Sequence, residues 1–355
     1  MTARFFILGA RSWCVAIALP LLAFVAAVQP AVALDIRGAG ATFPAPLYEA
    51  WGTQYERATG THLTYTAVGS GAGLERIRAH QADFGASDMP MTQQELTRYG
   101  LLQFPTVIGG VVPVINIAGI EPGELQLTGA VLADIYLGKI RRWNDPAIQQ
   151  LNPSIALPAT HITVVHRAEV SGTSLLFTGF LSQSSARWHR EIGASEMPRW
   201  PVGVAGNGNG GVASYVQRTR FTIGYVEYFY ARDHHLSDVM LRNRSGQLVR
   251  AGRNAFRAAA AVGSWDPVHT MLQLPADPAG EHSWPITGAT FVLLPARCDD
   301  PERARATLAF FDWALHAGAH TIDTADYVPV PPDVLAQLPP LWRSVTDATG
   351  KAVWP

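Results

Sequence analysis

Cysteine is nearly absent: the 355 residues contain two, Cys14 and Cys298. Cys14 falls in an N-terminal stretch expected to be removed, so no intramolecular disulfide is available to the rest of the chain. A chain of this length can bury enough core to fold without one. A surplus of charge is also lacking, with 27 Lys and Arg against 28 Asp and Glu. That balance excludes a nucleic-acid binder that works by bulk charge, and any anion site must be local. Past residue 33 there is no apolar run near the roughly 20 residues a membrane span needs. There is no internal repeat, low-complexity tract or charge block. No G-x-x-x-x-G-K-[ST] loop, no H-E-x-x-H and no serine with glycines at −2 and +2 occurs. Those gaps remove the phosphate-loop nucleotidases, the zinc peptidases and the esterase elbow.

What is present begins with a targeting pattern. Arg4 and Arg11 give a basic start, Trp13 to Val28 is nearly all apolar, and Ala31-Val32-Ala33 is a small-x-small cleavage site. That order reads as a secretory signal peptide over 1–33, not a membrane anchor, for which the run is short. The residues before Cys14 do not form a lipid-attachment pattern. Cleavage removes two arginines and no acid, leaving 25 basic against 28 acidic residues, net −3.

In the remainder, strand-like apolar runs alternate with amphipathic stretches. Val107 to Ile115, Ile162 to Val165, Ile223 to Val226 and Phe291 to Leu294 read as strands. Pro46 to Arg57, Leu74 to Ala79, Ala130 to Leu137, Ser174 to Leu181 and Glu302 to His316 read as helices. The alternation predicts an α/β architecture. Gly203 to Gly211, rich in Gly and Asn, reads as a loop.

One device appears three times: a small-residue loop carrying a hydroxyl, followed at once by a helical pattern. Gly38 to Pro46 places Thr42 as a candidate N-cap, with prolines in the first turn. Gly69 to Leu74 offers Ser70 at a helix start. Arg167 to Ser174 adds a full positive charge ahead of Ser171, Gly172 and Thr173. Helix N-termini present unpaired N–H groups and the positive end of a dipole, so three of them with one arginine could hold a small oxyanion. Each loop alone is as well explained as an ordinary capped helix. The fourth element, Phe84 to Pro90, carries Asp88, which by itself reads as a turn residue before Pro90. Near an anion it makes sense only if the anion carries a proton, because an ionised carboxylate accepts hydrogen bonds and donates none. HPO₄²⁻ and H₂PO₄⁻ have that proton; sulfate at neutral pH does not. Sites of that kind can discriminate by on the order of 10⁴ or more.

With these segments in view, the chain resembles the periplasmic phosphate-binding proteins of phosphate-specific ABC transporters. The resemblance runs through GAGATFPAP (38–46), FGASD (84–88), FPTVIGGVV (104–112), DIYLGKI (134–140), SGTS (171–174), IGYVEY (223–228), WPIT (284–287) and FFDWA (310–314). It implies an α/β, two-lobed type II periplasmic-binding-protein fold with two inter-lobe crossings and a ligand cleft. The crossings are expected near Val112 to Ile117 and near Trp284 to Ala289. The lobes would then be 34–115 plus 288–355, and 116–287. It implies phosphate held by hydrogen bonds from Thr42, Phe43, Ser70, Arg167, Ser171, Gly172 and Thr173, with Asp88 accepting the ligand proton. It further implies delivery to membrane permease and ATPase components, with no cofactor, no metal and no nucleic acid, by a monomer. One departure stands out: the family has Asp-Gly where this chain has Glu169-Val170, and the family's Asp partners the arginine. Valine tolerates a positive φ poorly, so φ at 170 is expected to be negative.

Other readings carry less. An enzyme using Ser70 or Thr42 as nucleophile needs a base or metal beside it, and neither is evident. A binder of another tetrahedral oxyanion keeps the fold but leaves Asp88 unexplained. A surface or sensory role linked to phosphate stays open. Gly206 to Gly211 lacks dinucleotide-loop spacing and a clear preceding strand. His316 with His320, and His234-His235, lack further metal ligands. Trp143, Trp188, Trp200 and Trp284 read as core residues, and Tyr225 to Tyr230 as a strand and its edge, not as a functional aromatic cluster.

Overall fold

The computed structural model describes residues 1–2, 34–266 and 271–355. The expected signal peptide therefore lies outside the described residues. Strands β1 (Asp35–Gly40), β2 (His62–Ala67) and β3 (Phe84–Ser87) pair in parallel in the order β2-β1-β3. Helix α1 (Ala45–Thr59) joins β1 to β2, and helix α2 (Ser70–Arg78) joins β2 to β3. Next to β3 runs the antiparallel strand Thr287–Pro295, which in turn pairs with β4 (Leu101–Ile115). The sheet continues from β4 through Thr222–Glu227 and Thr163–Arg167 to Val204–Gly206.

β4 changes partner along its length. Leu101 to Gly110 pair with Thr287–Pro295, whereas Val111 to Ile115 pair with Thr222–Glu227. All 15 of its residues are buried, which is why its sequence shows an unbroken apolar run and no alternation. The result is the mixed α/β architecture anticipated from the alternation of elements, in keeping with the two-lobed fold that the resemblance implies.

The helices form where periodic burial supports them. In α1, Leu47, Tyr48, Trp51 and Tyr55 are buried at spacings of three and four. Tyr48 packs in an aromatic cluster with Trp51, Tyr65, Phe84 and Phe311. Trp143, Trp188 and Trp284 are fully buried and Trp200 packs in rings with Tyr136 and Tyr225, so all four serve the core.

One expectation fails. Gly203–Gly211 is not a loop: Val204–Gly206 is a strand, and Gly208 begins an 11-residue helix to Arg218. Glycine normally weakens a helix. Here Asn209, Val212, Ala213 and Val216 are buried at helical spacing, so tertiary packing outweighs propensity. Among the described residues no helix is long and apolar enough to cross a membrane, and no metal-ligating cluster is present.

Candidate functional site

Thr42 lies in the turn between β1 and α1. It is not the N-cap of α1; Pro44 is, with no side-chain cap bond. The Thr42 hydroxyl oxygen instead accepts from Asn209 twice, from the backbone N–H at 3.2 Å and from Nδ2 at 2.9 Å. A hydroxyl has two lone pairs and one proton. With both lone pairs occupied by N–H donors, the proton is free to donate. The neighbouring carbonyls are held as well: Tyr230 donates to Thr42 O and Tyr327 to Phe43 O, each at 2.7 Å. The Phe43 N–H shares its peptide plane with the Thr42 carbonyl, so the Tyr230 bond bears directly on its direction.

Ser70 is the first residue of α2, which begins four residues earlier than the sequence pattern indicated. Its oxygen accepts from the N–H groups of Asp88 and Gly172, both at 3.3 Å. The same arithmetic leaves the Ser70 proton as a donor. The Gly172 N–H comes from the start of the helix Gly172–Ser184, so this one oxygen joins the segment after β3 to a helix start 102 residues from Ser70. The approach is close: a Cβ on Gly172 would lie 2.5 Å from the Cβ of Asp88.

Asp88 is 3% exposed, and its Oδ1 accepts from the Thr290 hydroxyl at 2.6 Å. Burial pushes its carboxyl up to about 7, opposed by the Thr290 bond and by the charge of Arg167.

Arg167, 4% exposed, ends the strand Thr163–Arg167. Its Nε donates to Glu169 Oε1 at 2.8 Å, and Nη2 contacts the same oxygen. Glu169 thus takes the partner role left open by the sequence, and Oε1 also accepts from Gly208 N–H at 3.1 Å. The Arg167 Nη1 and Glu169 Oε2 atoms are buried with no hydrogen-bond partner. An unpaired charged donor is expensive to bury unless an anion takes it up. Val170 is not among the residues with positive φ, in line with the expectation for that position. It packs onto the opposite loop, where a Cβ on Gly71 would lie 2.6 Å from its own.

Ser171 caps the helix Gly172–Ser184 by accepting from Ser174 N–H, while its own N–H donates to Glu196 O. The Thr173 hydroxyl oxygen lies 3.5 Å from Asn209 Nδ2. Asn209 therefore touches both Thr42 and Thr173, and its Oδ1 accepts from Glu227 N–H at 3.0 Å.

The structure brings the expected residues together. Thr42 and Thr173 meet through Asn209, Ser70 joins Asp88 to Gly172, Arg167 reaches the same wall through Glu169, and Phe43 follows Thr42. Apart from Glu169, which is half-buried, none of these side chains is more than 6% exposed. Sequence reasoning missed Asn209, Thr290, Tyr225, Tyr230 and Tyr327. Tyr225, buried and stacked on Phe177, accepts from Arg167 N–H at 3.2 Å. The segment Tyr225 to Tyr230 is thus more than a strand and its edge: Thr222–Glu227 gives way to a short helix, Tyr228–Asp233, and two of its hydroxyls reach the site. The asparagine had one signal, its place two residues into a Gly-rich turn that starts a helix. Chemically, the chamber offers hydroxyl protons, helix-start N–H groups, one unpaired guanidinium donor and one carboxyl. It suits a small tetrahedral anion that also carries a proton.

A family model described as a PBP superfamily domain matches residues 25–281. The chain is 45% identical over 314 residues to the phosphate-binding protein PstS of Haemophilus influenzae, covering 88% of this chain and 94% of that one. It is 35% identical to the PstS protein of Methanocaldococcus jannaschii over 84% of this chain and 83% of that one. Among solved structures, a high-affinity periplasmic phosphate-binding protein, PfluDING, bound with phosphate matches with a TM-score of 0.69 at 21% identity, over 86% of this chain and 93% of that chain. A phosphate ABC transporter substrate-binding protein from Clostridium perfringens matches with a TM-score of 0.61 at 18% identity, over 84% and 100%. These two structures bear on the fold.

Proposed function

The chain belongs to the PstS phosphate-binding proteins of the PBP superfamily, and from that premise we propose that it captures inorganic phosphate in the periplasm and delivers it to an ABC transporter for import. It performs no chemistry on the ligand. The observation that carries this reading is the direction of the buried protons. Thr42 and Ser70 each accept from two N–H groups and so turn their own protons inward, Arg167 keeps one unpaired donor, and Asp88 stands among them as the acceptor.

In this reading Thr42, Phe43, Ser70, Arg167, Ser171 and Thr173 donate to the phosphate oxygens, Gly172 adds an N–H shared with Ser70 Oγ, and Asp88 accepts the P–O–H. Sulfate finds the donors satisfied but meets Asp88 with no proton to give, and like charges then repel. The lobes are 34–115 with 288–355, and 116–287. The change of β4's partners between Gly110 and Val111 supports a crossing close to that boundary. Ligand bridges the lobes and favours their closure, since the half-sites meet only when closed. The transporter's permease and ATPase components then receive the closed form, and the protein works as a monomer.

Calorimetric titration of the mature protein, stripped of ligand by unfolding and refolding, tests this near pH 7. One-to-one phosphate binding at micromolar affinity or tighter, with sulfate silent, is expected. Absence of phosphate binding, or displacement by sulfate, overturns it.

A further inference from the structure

Behind Phe43 lies a buried acid that the site chemistry does not use. Glu227 is 1% exposed and ends the strand that pairs with the second part of β4, opposite Val111. Tyr327 is fully buried and precedes Val328, which pairs with Ile108 in the first part of β4. The two residues thus flank the point where β4 changes partner. The Tyr327 hydroxyl oxygen lies 2.7 Å from Phe43 O and 3.0 Å from Glu227 Oε2.

A phenol has one proton, and here two oxygens lie within reach of it. The Phe43 carbonyl can only accept. If Glu227 were ionised it too could only accept, and one of the two contacts would be two oxygens facing each other without a proton. Both contacts are satisfied in one arrangement: Tyr327 donates to Phe43 O, and a protonated Glu227 donates to Tyr327. Oε2 keeps a lone pair for the Phe229 N–H, 3.0 Å away. The surroundings favour the neutral form. Burial holds the Glu227 carboxyl well above the usual range, opposed by its hydrogen bonds with Phe229, Tyr327 and Tyr228. The charged or titratable groups that act on it are Asp88, whose negative charge adds to the effect, and Tyr327, Tyr228 and Tyr230. None of these is a cation. Any anion bound beside Asp88 disfavours ionisation further.

We propose that Glu227 is a positioning residue for ligand binding: it keeps its proton and, through Tyr327, fixes the Phe43 carbonyl, which together with the Tyr230 bond to the Thr42 carbonyl sets the turn that carries the Phe43 N–H. Its backbone acts in the same sense on the other wall, because Glu227 N–H holds Asn209 Oδ1. A single residue at the partner change of β4 therefore orients donors on both sides of the site. The binding part of this inference rests on the phosphate reading above; the protonation part does not.

The test has two arms, each on the mature protein. Infrared difference spectra of wild type against Glu227→Gln are expected to contain the carbonyl stretch of a buried carboxylic acid at pH 7. Only carboxylate bands there would overturn the proposal. Phosphate titration of Glu227→Ala and Tyr327→Phe is expected to show affinity lowered about tenfold or more, the scale of one lost buried hydrogen bond. Glu227→Gln, whose amide can donate to Tyr327, is expected to recover most of that loss. It is also expected to abolish any weakening of wild-type binding at alkaline pH. A Gln variant as weak as Ala, or an unaffected Tyr327→Phe, overturns the proposal. Circular dichroism confirms that each variant is folded. Should wild type bind no phosphate while the acid band is present, Glu227 remains protonated but its role in binding falls with the functional reading.

Discussion

Asn209 and Thr42, 167 residues apart, are joined by two hydrogen bonds that end on one oxygen. The pair couples the turn after β1 to the start of the helix Gly208–Arg218. Asn209→Ala deletes the Nδ2 bond and leaves the buried Glu227 N–H without an acceptor. An unpaired buried donor costs about 1–3 kcal/mol, so phosphate affinity is expected to fall roughly tenfold to a hundredfold. Asn209→Asp preserves the acceptor but puts a carboxylate beside the anion site, and its loss is expected to exceed that of alanine. Calorimetry on both variants decides; an aspartate variant that binds like wild type would remove Asn209 from the site.

Asp88→Asn exchanges an acceptor for a group that can also donate. Phosphate then keeps only a neutral, weaker acceptor for its proton, while sulfate loses its repulsion and gains a donor. The phosphate-to-sulfate preference is expected to fall by at least about a hundredfold, within the range such sites achieve. Competition titration of the two anions measures it. An unchanged ratio would mean that Asp88 does not set selectivity.

The same substitution isolates a pH effect on stability. Asp88 is raised from 3.8 to about 7 in the folded protein. Between those values the native state holds a proton that the unfolded chain has released, so stability declines as pH rises through that window and levels off above it. Glu227 shifts in the same direction, which is why the comparison must be with Asp88→Asn. The melting temperature of the variant, relative to wild type without phosphate, is expected to increase from pH 4.5 to pH 8. A constant difference would show that Asp88 titrates normally.

Gly172→Ala tests the close approach of the two halves. Alanine favours helices over glycine by about 1 kcal/mol, so local propensity predicts no harm. The added methyl would, however, meet Asp88 Cβ at 2.5 Å. Phosphate affinity is expected to drop tenfold or more while the protein stays folded. Wild-type affinity would mean the halves can bind ligand further apart.

Glu169→Asp shortens the arm that holds Arg167 and Gly208 N–H through one oxygen. A side chain one methylene shorter cannot keep both contacts without moving the loop, and about a tenfold loss of affinity is expected. Val170→Gly removes the packing on Gly71 and frees the same loop, with a smaller loss expected. Unchanged titrations for both would show that a carboxylate at 169 holds Arg167 well enough at either length.

The elements that carry their own signal were legible. The buried run of β4, the periodic face of α1, and the hydroxyl and glycine residues before the helices follow from spacing and hydrogen-bonding capacity within a few residues. The short segment before Val212 was misjudged because its glycines argue against a helix locally, and the burial of Val212, Ala213 and Val216 that reverses this is not visible in composition. Thr42 was taken for a cap on the same local grounds. Its true partner competes from far along the chain.

The sequence by itself therefore determined the α/β alternation, the three hydroxyl-bearing turns, Asp88, and one arginine ahead of the third turn in a chain whose charges nearly balance. Tertiary structure decided what each hydroxyl does. Thr290 reaches Asp88 across 202 positions and Tyr327 reaches Phe43 across 284. A hydrogen bond is set by distance and angle in space, whereas a sequence records only neighbours along the chain. Which lone pairs are filled, and so which protons face a ligand, becomes fixed only when the sheet brings those distant segments together.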